Sequence, residues 1–213
     1  MKLDIARHFG AVSRVVTNRE IDGKPAAVVV ATRNYDTTID DAWEALTSAE
    51  RIPRWFLPIT GDLKLGGRYQ LQGNAGGTIT ACEPPHRLCV TWEFGGDVSW
   101  VTITLTEHGA QTRLELEHAA HVKPEFWNQF GPGAVGVGWD GALMGLAEYL
   151  ASSVAIDRKE ADAWQASDEG KAFYRICGEA WGRADIANGT DETEAKARAA
   201  RTTAFYCGES PPA

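Results

Sequence analysis

The sequence has few of the features that would place a protein in a membrane or on nucleic acid. No apolar run approaches the roughly 18 residues that span a bilayer, and charges interrupt the first residues, which lack the apolar core of a signal peptide. Lysine and arginine total 21 against 29 aspartate and glutamate, and no basic stripe with interleaved aromatics occurs. We therefore expect a cytoplasmic protein without nucleic-acid or membrane partners.

Cysteine is scarce as well: four residues without CxxC spacing are too few for a disulfide framework, so free thiols are expected. Metal-binding motifs such as HExxH are absent. Strand alternation sends Glu115 and Glu117 to the face opposite His118, which argues against a metal site there. The glycine pairs lie outside any GxGxxG or GK[ST] motif, and no GxSxG occurs. These absences predict no metal, no cofactor and no catalytic nucleophile.

The longest apolar stretch of the 213 residues, Ala134–Ser153, is predicted to form one helix. Its apolar residues recur at three-four spacing and are expected on one buried face: Val135, Trp139, Ala142, Leu143, Leu146 and Leu150. Gly138, Gly141 and Gly145 lie beside this stripe. Each glycine costs about 1 kcal/mol relative to alanine in a helix, so these three predict close backbone approach or space for a ligand.

The chain before this helix has the pattern of antiparallel strands. Asp22-Gly23 predicts a hairpin between Val12–Arg19 and Ala26–Tyr35. Two short helices are expected next, IDDAWEALT after a Thr38 or Asp40 cap and AERIPRWFL after Ser48. Further strands follow, with the glycine pairs 76–77 and 95–96 expected in turns.

Alternation is clearest in the last three of these strands. The apolar positions are expected to share one face: Leu88, Val90, Trp92 and Phe94; Val101, Ile103 and Leu105; Leu114, Leu116 and His118. Threonine and glutamate occupy the alternate positions. One apolar and one polar face indicate an antiparallel sheet covered on one side only, and the long helix is the expected cover.

The remainder of the chain is expected to be a connecting loop and a helical extension. The loop His121–Gly133 carries three large aromatics and is expected to pack near the open end of the sheet. Glu169–Ala187 has the pattern of an amphipathic helix, and Asp191 begins a last helix that reaches about Tyr206. This extension is expected to pack on the core, on the N-terminal hairpin or on a second subunit.

Five segments in this order resemble one family: RIPRWFLP at 51–58, GDLKLGGRYQLQG at 61–73, GGTITACEPPHRLCVTWEF at 76–94, VTITLTEHGAQTRLELEH at 101–118 and GVGWDGALMGLAEYL at 136–150. The chain is similar to the AHSA1-like (activator of Hsp90 ATPase homologue 1-like) family of the START/Bet v 1-like (SRPBCC) superfamily over about residues 26–153. The resemblance implies an α+β helix-grip fold, a curved antiparallel sheet wrapped around a long C-terminal helix. We expect an N-terminal turn and hairpin strand (1–25), the helix-grip domain (26–155) and a helical extension (156–213).

The resemblance further implies a cavity between sheet and helix that binds a hydrophobic or aromatic small molecule. The residues expected to line it are Trp55, Tyr69, Trp92, His118, Trp139 and Leu143. His118 falls on the inward face of its strand, where it would contact a ligand or simply bond to backbone at the strand end. Nothing resembles the additional N-terminal domain of the eukaryotic Hsp90 activators, so the chaperone role is not expected.

Two other function classes stay open at this point. One is an enzyme of the polyketide cyclase or hydrolase type that uses His118 with pocket water as a general base. The other is an interaction protein whose C-terminal helices form a homodimer or a partner surface, with Phe173, Ile176 and Trp181 as its apolar contacts.

Overall fold

The computed structural model describes residues 5–210, within which the chain forms eight strands and seven α-helices. The strands are β1 (Val12–Ile21), β2 (Lys24–Tyr35), β3 (Ile59–Gly61), β4 (Arg68–Leu71), β5 (Gly76–Glu83), β6 (Arg87–Phe94), β7 (Asp97–His108) and β8 (Gln111–His121). The helices are α1 (Ile5–Gly10), α2 (Ile39–Thr47), α3 (Pro124–Phe130), α4 (Gly133–Ser152), α5 (Arg158–Ala166), α6 (Asp168–Ala187) and α7 (Glu192–Cys207).

The eight strands form one sheet in the order β1-β2-β8-β7-β6-β5-β4-β3. From β3 to β8 every pair of neighbours is antiparallel. A meander of this kind followed by one long helix is the predicted α+β helix-grip arrangement, and the fold class is confirmed.

The chain divides into two compact units that do not follow sequence order. Unit 1 contains the described residues up to Ala31, His121–Gly141 and the described residues from Asp157 onward. Unit 2 contains Thr32–Ala120 and Ala142–Ile156. The division falls inside β2 and inside α4, so each of these elements contributes residues to both units.

The turn between β1 and β2 confirms the predicted hairpin. Asp22 and Gly23 have φ angles of 50° and 72°, and two consecutive positive values are typical of the type I′ turn that matches the twist of a hairpin. The first short helix is also confirmed: α2 begins after Thr38, whose hydroxyl accepts a hydrogen bond from the amide of Asp41 at 3.3 Å.

The second predicted helix after Ser48 is wrong: the structure has only a 3-10 turn at Ile52–Arg54. Pro53 explains the difference, because its ring disfavours helical backbone at the preceding residue and removes an amide donor.

The glycine pair 76–77 lies in β5 rather than in a turn. A Cβ atom on Gly77 would lie 2.0 Å from the carbonyl oxygen of Thr91, so the absence of a side chain there permits the close approach of β6.

The long helix α4 is confirmed, but its buried face differs from the predicted stripe. Val135 is 36% exposed and Leu150 is half-buried, whereas Val137 and Tyr149 are buried. Because almost every turn of α4 is apolar, spacing alone does not single out one face.

The connection between β8 and α4 contains the helix α3, which the prediction of a loop missed. The ring of Phe130 lies 6.0 Å from that of Phe205 in α7, so the aromatics of this segment contact a C-terminal helix. The predicted C-terminal helices are confirmed as α6 and α7, and α5 was not predicted. Asp191 caps α7 by accepting from the amides of Thr193 and Glu194.

Candidate functional site

The apolar face of β6 in unit 2 is incompletely covered. In the strand register, Val90 of β6 lies beside Val101 of β7, which lies beside His118 of β8. Two residues along the strands, Leu88 lies beside Ile103. The predicted apolar face is therefore confirmed. On β8 this face is buried, with Leu114, Leu116 and His118 at most 5% exposed. On β6, which has strands on both sides, Leu88, Val90 and Trp92 are all only half-buried.

Incomplete burial of large apolar side chains in the interior of a sheet means that the chain leaves space over them. A sheet edge exposes such residues for lack of neighbours, but β6 is not an edge strand. Apolar space beside a few polar groups is the usual composition of a small-molecule site. The face of β6 is therefore the candidate site. We refer to Leu88, Val90 and Trp92 of β6, together with Ile103 of the neighbouring strand β7, as the β6 patch.

His118 provides the polar group beside the β6 patch. Its Nε2 atom lies 2.8 Å from the hydroxyl oxygen of Ser99, and that hydroxyl donates to the backbone carbonyl of Trp92 at 3.1 Å. The rings of Trp92 and His118 have centroids 6.0 Å apart and are tilted by 59°. Burial lowers the pKa of His118 from its ordinary 6.5 to about 4, so the imidazole is neutral at pH 7.

Tyr69 belongs to the same side of the sheet. It forms a buried cluster with Leu71 and Ile79, and Trp92 packs against this cluster. The Tyr69 hydroxyl donates to the carbonyl of Thr91 at 2.8 Å. Burial raises the pKa of this phenol, which therefore stays protonated and keeps its donor role at neutral pH.

Trp55 is connected to the Tyr69 cluster through the neighbouring residue Phe56. Its ring stacks on Phe56 at 5.3 Å, Phe56 packs against the Tyr69 cluster, and the indole nitrogen donates to the carbonyl of Ala45 at 2.9 Å. A Cβ atom on Gly145 would lie only 2.8 Å from the carbonyl oxygen of Trp55, so this helix glycine permits the close backbone approach that its spacing predicted.

Leu143 is buried in the part of α4 that belongs to unit 2. Its backbone carbonyl accepts from the hydroxyl of Tyr35 at 3.1 Å, which ties α4 to β2 within this unit. Gly141, two residues earlier, has no atom within 4 Å of the position that a Cβ would occupy, so there is open space beside it.

The structure thus brings Tyr69, Trp92 and His118 together, connects Trp55 to them through Phe56, and places Leu143 in the same unit. Trp139 is buried in unit 1. That any of these residues contacts a ligand stays a prediction.

A buried charged cluster in unit 1 was missed by sequence reasoning. Asp140 is 1% exposed, and both its oxygens lie 3.1 Å from Nε of Arg14. The indole nitrogen of Trp181 donates to the same carboxylate at 2.9 Å. Burial raises the pKa of Asp140, while Arg14 and Trp181 oppose the shift by stabilising the charged form.

A second buried pair joins α6 to α7 in unit 1. Asp185 is fully buried, accepts from Arg198 at 3.2 Å and accepts from the hydroxyl of Thr190 at 2.7 Å. Arg198 also binds Glu194, one turn earlier in α7. In each network a buried carboxylate is held by an arginine and a further donor, so we assign both networks a structural role in unit 1.

The apolar residues expected to form an interface on the C-terminal helices are largely internal. Phe173 and Trp181 are buried within unit 1, and Ile176 is half-buried. The exposed side of α6 and α7 instead forms a groove of about 850 Å³ that charged residues of both signs line, among them Arg175, Glu179, Arg183 and Lys196. A homodimer through these helices stays a prediction, and it would have to use residues other than Phe173 and Trp181.

All four cysteines are free thiols, as predicted. Among residues 5–210, His, Cys, Asp and Glu form no group of three or more that is arranged to hold a metal ion. In the same range, none of the helices combines the length and the hydropathy needed to cross a bilayer.

Comparison with known proteins gives one family and several related structures. The family model for "Activator of Hsp90 ATPase homolog 1-like protein" matches residues 36–151. The crystal structure of CalU16 from Micromonospora echinospora is 32% identical over 84% of this chain and 99% of that chain, with a TM-score of 0.65. The solution NMR structure of CalU16 is 34% identical over 84% and 97%, with a TM-score of 0.69.

A more distant structure supports the fold alone. EF2215 from Enterococcus faecalis, a conserved protein of unknown function, is 18% identical over 83% of this chain and 92% of that chain, with a TM-score of 0.56. No protein of curated function matches the chain.

Proposed function

Because the chain belongs to the Activator of Hsp90 ATPase homolog 1-like family, we propose that it binds a hydrophobic or aromatic small molecule between the sheet and the long helix. The single observation that carries the proposal is the half-exposure of the β6 patch in the interior of a sheet. Complete burial of a fully exposed side chain of this size is worth about 1.5–3 kcal/mol, so an apolar molecule that covered the exposed parts of several would gain a useful affinity. We further expect a cytoplasmic location.

The test uses 2-methoxynaphthalene, a planar apolar probe without a hydrogen-bond donor. Titration followed by ¹H–¹⁵N NMR should give saturable one-to-one binding, with the largest shifts at backbone amides of β6 and β7. Val90→Trp fills the space over β6 and should weaken binding by about tenfold or more, since an indole would occupy the probe's volume. Thr106→Trp is the matched control, because Thr106 is exposed on the polar face of the same sheet.

Absence of saturable binding to the wild type, both of 2-methoxynaphthalene and of its hydroxyl counterpart 2-naphthol, would overturn the proposal. Unchanged affinity in a folded Val90→Trp variant would also count against it, because the probe would then bind elsewhere. Equal losses in both tryptophan variants would indicate general destabilisation rather than a blocked site, which the thermal midpoints of the two variants would reveal.

A hydrolase or cyclase that uses His118 as its base is less compatible with the site. The contact between Ser99 and His118 has the spacing of a nucleophile and its base. However, a pKa of about 4 makes the imidazole a weak base at pH 7, and the Ser99 hydroxyl donates to a backbone carbonyl instead. Turnover of an aromatic ester that is lost in both Ser99→Ala and His118→Asn would reverse this judgement.

A further inference from the structure

The hydrogen bonds around Ser99 fix which kind of polar group the β6 patch would recognise. A hydroxyl has one hydrogen and two lone pairs. The hydrogen of Ser99 is used in the bond to the carbonyl of Trp92. The contact with His118 therefore requires that Nε2 carries a hydrogen and donates it to the Ser99 oxygen, which makes His118 the Nε2–H tautomer.

This arrangement leaves one lone pair on the Ser99 oxygen for a partner outside the protein. Ser99 is half-buried, whereas His118 is 5% exposed, so the serine is the member of the pair that a bound molecule would reach. Because its own hydrogen is already used, Ser99 offers an acceptor and no donor. A ligand group that binds here must bring its own hydrogen, as a hydroxyl or an N–H does.

The surroundings of Ser99 restrict the remainder of the ligand. Ser99 pairs directly with Trp92 across the β6–β7 hairpin, and Val90 and Val101 form the next pair on the same face. These neighbours are apolar or aromatic. Glu93 of β6 is an exception, but it forms an ion pair with Arg68 of β4 at 2.7 Å. Glu93 lies one residue from Trp92 and so belongs to the opposite face of β6.

We infer that the site selects an aromatic molecule with a ring hydroxyl or ring N–H, which packs over the β6 patch and donates its hydrogen to Ser99. This inference rests on the proposed function and adds to it the chemical class of the ligand. It also gives His118 a defined part: its Nε2–H holds the Ser99 oxygen in place, so His118 is a positioning residue and does not itself contact the ligand.

The experiment compares 2-naphthol with 2-methoxynaphthalene by calorimetric titration at pH 7, where both probes are neutral. The two probes share the ring system, and only the naphthol can donate. One added neutral hydrogen bond corresponds to a preference of about fivefold. Ser99→Ala should remove this preference and leave the affinity for 2-methoxynaphthalene nearly unchanged, whereas Ser99→Thr, which keeps a hydroxyl, should retain much of it.

The matched control is Thr102→Ala, which removes a hydroxyl from the opposite face of β7. It should keep the fivefold preference. His118→Asn should reduce the preference without abolishing the binding of 2-methoxynaphthalene, because the Ser99 oxygen loses the donor that orients it.

Long-range ¹H–¹⁵N correlation spectra of the imidazole provide a readout that does not depend on any ligand. They distinguish the two neutral tautomers, and we expect the proton of His118 on Nε2. A proton on Nδ1 would overturn the inference, because Ser99 would then donate to His118.

Equal affinities for the two probes, or a preference that survives Ser99→Ala, would overturn the inference while leaving the proposed function intact. Failure of both probes to bind would instead refute the proposed function and the inference together.

Discussion

The buried carboxylates of unit 1 and the buried imidazole of unit 2 are paired in different ways. In unit 1 the carboxylates of Asp140 and Asp185 are each held by an arginine and a further donor, and every one of these partners belongs to the same unit. In unit 2 the buried polar side chain beside the apolar face is His118, a neutral imidazole bonded to a half-buried serine.

This difference teaches where to look for function. Charged groups that bind each other inside a core fix the packing of helices and offer little to a ligand. A neutral donor–acceptor pair beside half-exposed apolar side chains requires no counter-charge and leaves an acceptor available. The contrast therefore favours unit 2 over unit 1 as the location of the proposed binding site.

The largest expected effect comes from breaking the charged cluster of unit 1. Asp140→Leu should lower the free energy of unfolding by about 3–5 kcal/mol, because Arg14 would keep its charge in a site only 6% exposed to solvent. Urea unfolding measures the change. The double variant Arg14→Leu/Asp140→Leu should recover part of the loss, since no unpaired charge remains.

The control for this prediction is Glu93→Gln, which breaks the exposed ion pair with Arg68 and should leave the unfolding midpoint nearly unchanged. If Asp140→Leu and Glu93→Gln had equal effects, the cluster around Asp140 would not stabilise unit 1 as described.

The second prediction concerns pH and unit 2. Burial lowers the pKa of His118 to about 4 in the folded chain, against 6.5 when unfolded. The unfolded state thus binds more protons between these values, so stability is fully present above pH 6.5 and is lost as pH falls toward 4. The loss approaches 1.4 kcal/mol per pH unit, or about 3 kcal/mol in total.

Urea unfolding from pH 7 to pH 4.5 checks this dependence by comparing wild type with His118→Asn. The variant should show a shallower fall of stability with acid. His108→Asn serves as the control, because His108 lies on an exposed strand end. Parallel curves for wild type and His118→Asn would contradict the assigned burial of the imidazole.

A smaller loss is expected at the point where α4 meets the segment after α2. In Gly145→Ala the new Cβ would lie 2.8 Å from the carbonyl oxygen of Trp55 and 3.4 Å from Cδ1 of Ile156. Overpacking of this kind costs about 1–3 kcal/mol, and it should exceed the gain in helix propensity. Thermal unfolding should therefore show a lower midpoint, and a raised one would contradict the close approach.

The smallest effect has the opposite sign and lies one turn earlier in the same helix. Gly141→Ala should stabilise the chain by up to about 1 kcal/mol, because no atom lies within 4 Å of the new Cβ and alanine is the better helix former. A destabilised variant would show that this space is not open.

Sequence reasoning succeeded where the cause of structure is local. Asp22-Gly23 specifies its turn through positive φ angles, and alternation along β6, β7 and β8 specifies which residues share a face. For the same reason His118 and Trp92 were correctly predicted on one face. Their hydrogen-bond partner Ser99 was missed, because a serine among threonines at a strand start carries no pattern of its own.

The buried network of Asp140 was missed because its residues lie far apart along the chain. Asp140 lies in an apolar helix and gives no local sign of a partner, since Arg14 is 126 residues away and Trp181 is 41 residues away. Long-range pairing of this kind becomes visible only in the structure.

The stripe predicted on α4 was wrong at Val135 because a helix that is apolar on most sides has no preferred face by spacing.

The composition of unit 1 has a consequence for how the protein is made. Residues of unit 2 separate its three segments along the chain, so Arg14 is synthesised 126 residues before its partner Asp140, which itself precedes Trp181 by 41 residues. Contacts of such large sequence separation form slowly. The nascent chain therefore carries an incomplete first unit until Trp181 and Arg198 have been added.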